Sequence, residues 1–193
     1  MTRVCVFAGS SSGGHPVYAD AAHQLGRTLG ERRVGVVYGG ACVGLMGVMA
    51  DAALAAGTNV TGVIPSALVA KEIAHRGLTD LRIVTSMHER KALMADLSDA
   101  FIALPGGWGT LEEFFEILTW GQLGLHRKPC GLLNVDGYFD RLLSFLDHTV
   151  EQGFVRREYR SMIAVSPSPA ALLDTLASYQ PPTVEKWIDR SVT

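Results

Sequence analysis

Cysteine is scarce in this sequence, and the three cysteines present do not form a recognisable pattern. Cys5, Cys42 and Cys130 are odd in number, lie far apart and include no CxxC spacing. This argues against a disulfide framework and against a structural zinc site, so we interpret them as reduced thiols in the core. The histidines are scattered, and the sequence contains neither an HExxH motif nor a close Asp/His cluster. We therefore expect no metal site and no cofactor.

The sequence also lacks an excess of basic residues. It has 17 Lys and Arg residues against 19 Asp and Glu residues, a formal net charge of −2. This balance gives no electrostatic footprint for nucleic acid or an anionic membrane as a partner, and it favours a small-molecule ligand. No apolar stretch approaches the ~20 residues of a membrane span, and no basic segment with a cleavage site precedes the first apolar run. We expect a cytoplasmic protein.

Short apolar runs alternate with longer segments of helical period. The predicted strands cover residues 4–8, 34–38, 59–64, 81–85, 100–104, 131–135 and 162–165, and the predicted helices cover 16–31, 45–56, 87–97, 110–123, 138–152 and 169–179. Nearly continuous apolar strands separated by helices are typical of a parallel sheet covered on both faces. We therefore predict a doubly wound α/β fold, a three-layer αβα sandwich, with one domain at 1–180 and a tail at 181–193.

Three loops that follow predicted strands are rich in glycine or serine. They read AGSSSGG at 8–14, YGGACVGLMG at 38–47 and LPGGWGT at 104–110, and each precedes a helix. Such loops are typical of tight turns, but three of them at one sheet edge favour an anion site built on helix N-termini. The candidates for a phosphate loop are Gly9, Ser10, Gly39 and Gly40. The spacing fits neither the GxGxxG dinucleotide fingerprint nor a Walker loop.

The carboxylates behind the third loop allow two interpretations. Thr110 and Glu113 have the spacing of a capping box, which would be purely structural. Alternatively, a glutamate beside a glycine loop is well placed to contact the sugar of a ligand whose phosphate occupies that loop. Trp108, at the crown of the loop, is either a stacking surface or a hydrophobic plug.

The stretch SMHERKALMADLSD at 86–99 is also ambiguous. Ser86 and Glu89 form a second possible capping box, which places Arg90 in the opening turn of a helix. The positive charges there belong either to a solvated face, with Arg90 paired to Glu89 or Asp96, or to an anion site. Met87, Arg90 and Met94 share one helical stripe, a pattern more often found in a core than in a binding site.

The sequence resembles a known family over nearly its whole length, to about residue 153. PGGWGTLEE at 105–113 is similar to the PGGxGTxxE signature of the LONELY GUY (LOG) proteins, the cytokinin-activating phosphoribohydrolases formerly described as lysine decarboxylases. FAGSSSG, YGGACVGLMG, KEIAHRGLTDLRIVTSMHERKALM and LTWGQLGLHRKPCGLLNVDGYFDRLL extend the likeness. The resemblance implies a Rossmann-like homodimer that hydrolyses cytokinin riboside 5′-monophosphates to the free base and ribose 5-phosphate.

The resemblance also implies roles for individual residues. It makes Arg90 and Glu113 the catalytic pair and gives the phosphate to Gly107, Gly109 and Thr110. The other implied substrate contacts are Glu72, Lys91, Gly106, Trp108, Leu111, Glu112 and Thr119.

Two other functions use much of the same sequence. A nucleosidase acting mainly on AMP would need the same residues, whereas a non-catalytic nucleotide or molybdenum-cofactor binder would not need the Arg90 and Glu113 pair. Lysine decarboxylation would require pyridoxal phosphate on a lysine, and only Lys91 lies near the expected phosphate site. The helical segment LEEFFEILTWGQLGL at 111–125 has apolar residues on more than one face, which favours a homodimer over a monomer with a deeply buried helix.

Overall fold

A seven-stranded, all-parallel sheet forms the centre of the molecule in the computed structural model, which describes residues 1–69 and 74–182. The strand order is β4-β3-β2-β1-β5-β6-β7. The strands are β1 Arg3–Phe7, β2 Gly35–Tyr38, β3 Val60–Pro65, β4 Asp80–Val84, β5 Ala100–Ala103, β6 Cys130–Leu133 and β7 Ile163–Ser166. Every predicted strand is present, with bounds that differ from the prediction by no more than two residues.

Helices connect the strands and cover the sheet. They are α1 Pro16–Glu31, α2 Gly44–Ala55, α3 Met87–Asp96, α4 Trp108–Gln122, α5 Asp140–Glu151, α6 Arg157–Arg160 and α7 Pro169–Ala177. Of these α-helices, only the one-turn α6 was not predicted from the periodicity, because four residues are too short to show a helical repeat. The predicted doubly wound α/β sandwich is confirmed.

The strands alternate their side chains between two hydrophobic cores. On β1, Val4 and Val6 enter a core that includes residues of α1, α2 and α7, while Cys5 and Phe7 enter a second core that includes residues of α3 and α4. Strands β2, β5 and β6 are buried along their full length, which explains their continuous apolar sequences. The two cores fix the helical layers above and below the sheet.

Strand order reverses around β1, which lies between β2 and β5. The point where strand order reverses, here between β1 and β5, is called a switch point. In doubly wound sheets a crevice opens at this point, beyond the carboxyl ends of the two adjacent strands, and ligands bind there. The three glycine loops follow β1, β2 and β5, so the fold gathers them at this crevice.

Two regions lie outside the described residues. They are 70–73, which includes Glu72, and most of the predicted tail, from residue 183 onward. Among the helices that the structure describes, none combines the length and the apolar composition that crossing a membrane would need.

Candidate active site

The three glycine loops contact one another at the switch point. The Gly9 N–H donates to the Pro105 carbonyl at 3.2 Å, and the Gly9 carbonyl accepts from the Leu45 N–H at 3.0 Å. A side chain at Gly44 would overlap the backbone of Ser10, and Gly44 has a φ of +58°. These contacts show that part of the glycine content serves the folding of the loops themselves.

Gly107 and Gly109 differ from the glycines that the loop packing requires. A Cβ at either position would meet no atom within 4 Å among the described residues, and neither residue has a positive φ. Neither tight-turn geometry nor close packing therefore explains glycine here. Glycine leaves the backbone open to close approach, which is what an anion bound at a helix N-terminus needs.

Helix α4 begins two residues earlier than predicted. Gly107 is its N-cap, in an extended conformation, so Thr110 is the third helical residue and Glu113 the sixth. Of the two interpretations of Thr110 and Glu113, the capping box is therefore wrong. The buried Thr110 side chain packs closely beneath Gly106 instead. No side chain among the described residues caps α4, which leaves its first N–H groups available to a ligand.

A pocket of about 300 Å³ lies between the first and third loops. It is lined by Gly9, Ser10, Ser11, Ser12, Gly13, Tyr18, Leu45, Pro105, Gly106, Gly107 and Tyr138. The Tyr138 hydroxyl donates to the Gly106 carbonyl at 2.7 Å, and its ring meets the Tyr18 ring nearly at right angles, with centroids 5.6 Å apart. The aromatic pair thus supports the third loop from the side of α1.

Arg90 and Glu113 form a buried ion pair between α3 and α4. Arg90 Nη2 lies 3.5 Å from Glu113 Oε1, and the two side chains are 7% and 11% exposed. A side chain at Gly39 would overlap the same Nη2 atom, so Gly39, predicted as part of a phosphate loop, makes room for the guanidinium. The structure therefore brings together the two residues that the family resemblance made a catalytic pair.

The N-terminal turn of α3 directs Arg90 toward Glu113. Ser86 is the N-cap and accepts the Glu89 N–H at 3.1 Å, as predicted. The Glu89 carboxylate accepts from the Thr85 N–H and hydroxyl at 2.7 and 2.6 Å, and these hydrogen bonds lower the pKa of Glu89. Since Glu89 is engaged there, the alternative pairing of Arg90 with Glu89 is not formed.

Lys91 is held by two carboxylates of α4. Its ammonium lies 2.5 Å from Glu112 Oε1 and 3.0 Å from Glu116 Oε2, and its side chain is 8% exposed. Burial by itself lowers the pKa of Lys91, but the hydrogen bonds and charges of Glu112 and Glu116 outweigh it and raise the pKa. Glu116 was not predicted from the sequence, although its position one turn after Glu112 places both on one helical face.

The charges of this cluster decide which part of a ligand it suits. Two cations, Arg90 and Lys91, face three carboxylates, Glu112, Glu113 and Glu116, a formal excess of one negative charge. Such a cluster favours developing positive charge over a phosphate dianion. The phosphate is better accommodated at the N-terminus of α4, where the helix dipole and N–H groups are positive.

The remaining predicted residues lie in varied surroundings. Trp108 is 91% exposed, which rules out the hydrophobic plug. Leu111 is half-buried against the second core. Gly40 has a φ of +81°, and its carbonyl accepts the His75 N–H at 2.9 Å. Glu72 lies outside the described residues.

Thr119 is the predicted contact that lies away from the ion pair. It is exposed, its hydroxyl donates to the Phe115 carbonyl at 2.8 Å, and it lines a groove between α4 and α5. Within a single chain, Thr119 therefore does not lie next to Glu113.

The cysteines also differ from the prediction in part. Cys5 and Cys130 are buried free thiols, as predicted, whereas Cys42 is a free thiol exposed at the second loop. In the part of the chain that the structure describes, no three or more His, Cys, Asp or Glu side chains are arranged so that they could hold a metal ion.

The fold and the site define a class: a Rossmann-like α/β protein with a glycine-rich helix N-terminus that no side chain caps, beside a buried arginine and glutamate pair. A family model described as "Possible lysine decarboxylase" matches residues 46–176. The chain is 52% identical, over 93% of its length, to LOGL2 of Oryza sativa subsp. japonica, named a probable cytokinin riboside 5′-monophosphate phosphoribohydrolase, and covers 73% of that protein. It is also 52% identical, over 93% of its length, to the Arabidopsis thaliana phosphoribohydrolase LOG7, and covers 82% of it.

The chain belongs to the LOG family of cytokinin riboside 5′-monophosphate phosphoribohydrolases, which confirms the resemblance seen in the sequence. Among solved structures, the molybdenum cofactor binding protein of Rippkaea orientalis matches with a TM-score of 0.67 and 23% identity, over 91% of this chain and 95% of that one. At this identity the likeness supports the fold alone.

Proposed function

We propose that the protein hydrolyses the N-glycosidic bond of cytokinin riboside 5′-monophosphates to the free base and ribose 5-phosphate. The observation that carries this proposal is the buried Arg90 and Glu113 pair beside the open N-terminus of α4. Relatives at about half identity over most of the chain carry the name of this activity. A molecule that only binds a nucleotide has no need of the buried ion pair.

Glu113 stabilises the sugar in the proposed reaction. When the bond between the sugar carbon and the base nitrogen breaks, its electron pair stays on the base and positive charge develops on the sugar. A buried carboxylate beside the sugar stabilises that charge strongly because water does not screen it. A water molecule then adds to the sugar carbon and gives up one proton.

Arg90 acts on the departing base. The base gains negative charge as the bond breaks, and a fixed guanidinium stabilises that charge. Arginine does not give up its proton in proteins, so Arg90 acts electrostatically and the base takes its proton from water. The pair thus places a negative group near the sugar and a positive group near the base.

The phosphate supplies binding energy at a distance from the reacting bond. The phosphate binds at Gly107, Gly109 and the first turn of α4. Lys91 is engaged by two carboxylates, but its ammonium has a third N–H that can donate to a substrate oxygen. Binding energy from this remote group orients the sugar against Glu113. The wild-type enzyme should therefore cleave a nucleoside monophosphate far faster than the matching nucleoside.

Incubation with four compounds tests the function. Purified enzyme is given AMP, N6-isopentenyladenosine monophosphate, the matching nucleoside and lysine, and the products are separated by chromatography. Release of base from the N6-substituted monophosphate, with little from the nucleoside, supports the proposal. Preferred release of adenine from AMP indicates a general nucleotide nucleosidase, and equal turnover of nucleoside and nucleotide contradicts the role of the phosphate.

A homodimer is the second part of the proposal. Helix α5 has no buried residue, and its Phe145 is 61% exposed. Leu125 and Phe154 are 71% and 87% exposed, and an apolar groove of about 190 Å³ separates α4 from α5. A second copy that covered the groove and these side chains would remove them from water. Light scattering that gave a mass near 20.7 kDa at micromolar concentration would contradict the dimer.

The cytoplasmic location stays a prediction.

A further inference from the structure

Met87 is the exposed end of a side-chain stripe that leads out of the second core. Met94, two turns further along α3, is 1% exposed and belongs to that core, and Arg90 between them is buried. Met87 itself is 40% exposed at the first position of α3. The sequence pattern suggested a core position for all three residues, so the exposure of a large apolar side chain here requires another explanation.

Met87 contacts Arg90, the residue that stabilises the leaving base in the proposed reaction. Its Sδ atom lies 3.7 Å from Arg90 Nη1. The other terminal nitrogen, Nη2, faces Glu113 and is bounded by Gly39. The guanidinium is thus bounded by the sugar-stabilising carboxylate on the Nη2 side and by an exposed thioether on the Nη1 side.

This arrangement constrains the position of the base, given the proposed function. A base that is stabilised by Arg90 as it departs must lie against the guanidinium, and its outer edge then comes close to Met87. A methionine side chain is flexible and polarisable, so it adapts to aromatic rings and to apolar groups of varied shape. The polar amino group of AMP would gain little from this contact, whereas an apolar substituent on the same nitrogen would be removed from water.

We propose that Met87 is a specificity-determining residue that contacts the base and favours nucleotides with an apolar N6 substituent. This inference rests on the proposed function. It adds to that function the part of the substrate that the Met87 side chain recognises, the N6 substituent of the base.

The test is a ratio of two specificity constants. The value of kcat/KM is measured for N6-isopentenyladenosine monophosphate and for AMP with the wild-type enzyme and with Met87→Ala, Met87→Gln and Met87→Leu. Loss of a methylene-sized apolar contact changes discrimination by roughly 10-fold or more, so Met87→Ala should lower the ratio by about that factor. Met87→Gln has similar length but a polar end and should lower it as well, whereas Met87→Leu should retain most of it.

Ile83→Ala is the matched control. Ile83 is also a large exposed apolar residue, 60% exposed on edge strand β4, and it has no assigned role in the site. Its removal should leave the ratio unchanged.

Two failures are distinguishable. A wild-type enzyme that releases base from neither nucleotide overturns the proposed function and this inference with it. An active wild-type enzyme whose ratio is the same in Met87→Ala overturns the inference alone, because Met87 would then only support Arg90.

Discussion

Glu116 Oε2 lies 3.0 Å from the Lys91 ammonium, one helical turn beyond the catalytic candidate Glu113. Because the more exposed Glu112 shares the same ammonium, Lys91 has two carboxylate partners of unequal burial. If Glu112 turns toward a bound sugar, Glu116 can still hold Lys91. We therefore expect Glu116 to position two predicted substrate contacts.

Substitution of Glu116 should weaken substrate binding more than chemistry. In Glu116→Gln, only Glu112 still offers a negative charge to Lys91, so we expect KM to rise by about three- to tenfold with a smaller change in kcat, as for lost uniform binding. Glu31→Gln, an exposed carboxylate of α1 paired with Arg27, is the control and should change neither constant. Steady-state kinetics measures kcat and KM for both variants. Equal falls in kcat and kcat/KM in Glu116→Gln would contradict a positioning role.

Removal of the Glu113 charge should affect chemistry directly. The structure excludes Glu113 as a member of the capping box, so Glu113→Gln does not remove a helix cap. We expect turnover to fall by roughly 10²-fold or more, equivalent to about 3 kcal/mol of lost transition-state stabilisation. Gln keeps an oxygen that can face the buried Arg90 but not the charge, so the melting temperature is measured as well and turnover is compared where both proteins are folded. Wild-type turnover in this variant would return Glu113 to a structural role.

Asp99 should make stability depend on acid pH. Hydrogen bonds from the Thr2 hydroxyl and from the Thr2 and Arg3 N–H groups lower its pKa from 3.8 to about 2. A depressed pKa in the folded state means that the ionised form stabilises the fold. This contribution is complete above about pH 4 to 5 and is lost as the pH falls toward 2.

Urea unfolding at two pH values tests this linkage. Asp99→Asn should lower the midpoint at pH 7, and its difference from the wild type should narrow at pH 3. Asp20→Asn, an exposed residue of α1, is the control. An equal difference at both pH values would contradict the linkage to ionisation.

The three thiols should react at different rates. Burial raises the pKa of Cys5 well above its usual value, with the charge of Glu113 adding to the effect, and burial raises the pKa of Cys130 to about 12. Cys42 is exposed. We expect a disulfide reagent to label one thiol in the native protein and three after denaturation, because thiolates are the reactive species. Loss of the fast phase in Cys42→Ser would confirm the assignment, and rapid labelling of two thiols in the wild type would contradict it.

The sequence was sufficient for the sheet because its signal is local. A strand such as Ala100–Ala103 is apolar throughout, follows a polar residue and precedes a proline–glycine turn by one residue, and this pattern can be recognised without knowledge of its tertiary contacts. The start of α4 was not predictable in the same way. Thr110 has the usual chemistry of an N-cap, but Gly107 takes that place because Thr110 packs beneath Gly106.

Site residues were predictable where a family motif names them and harder to find where only tertiary contacts define them. The motif gave Arg90 and Glu113, and the structure places them together. Glu116 acquires its role only because α3 places Lys91 against α4, and the exposure of Met87 depends on where the core ends. Helical spacing shows which residues share a face, but it does not show what that face contacts.

The crevice at β1 and β5 has a consequence for the order of events in the proposed reaction. The pocket beside Tyr18 and Leu45 lies toward the layer of α1 and α2, whereas Arg90 and Glu113 belong to the layer of α3 and α4. After cleavage in the proposed reaction, ribose 5-phosphate keeps two contacts, its phosphate at the N-terminus of α4 and its sugar at Glu113, whereas the free base keeps only its contact with Arg90. We therefore expect the base to leave first and ribose 5-phosphate to leave last.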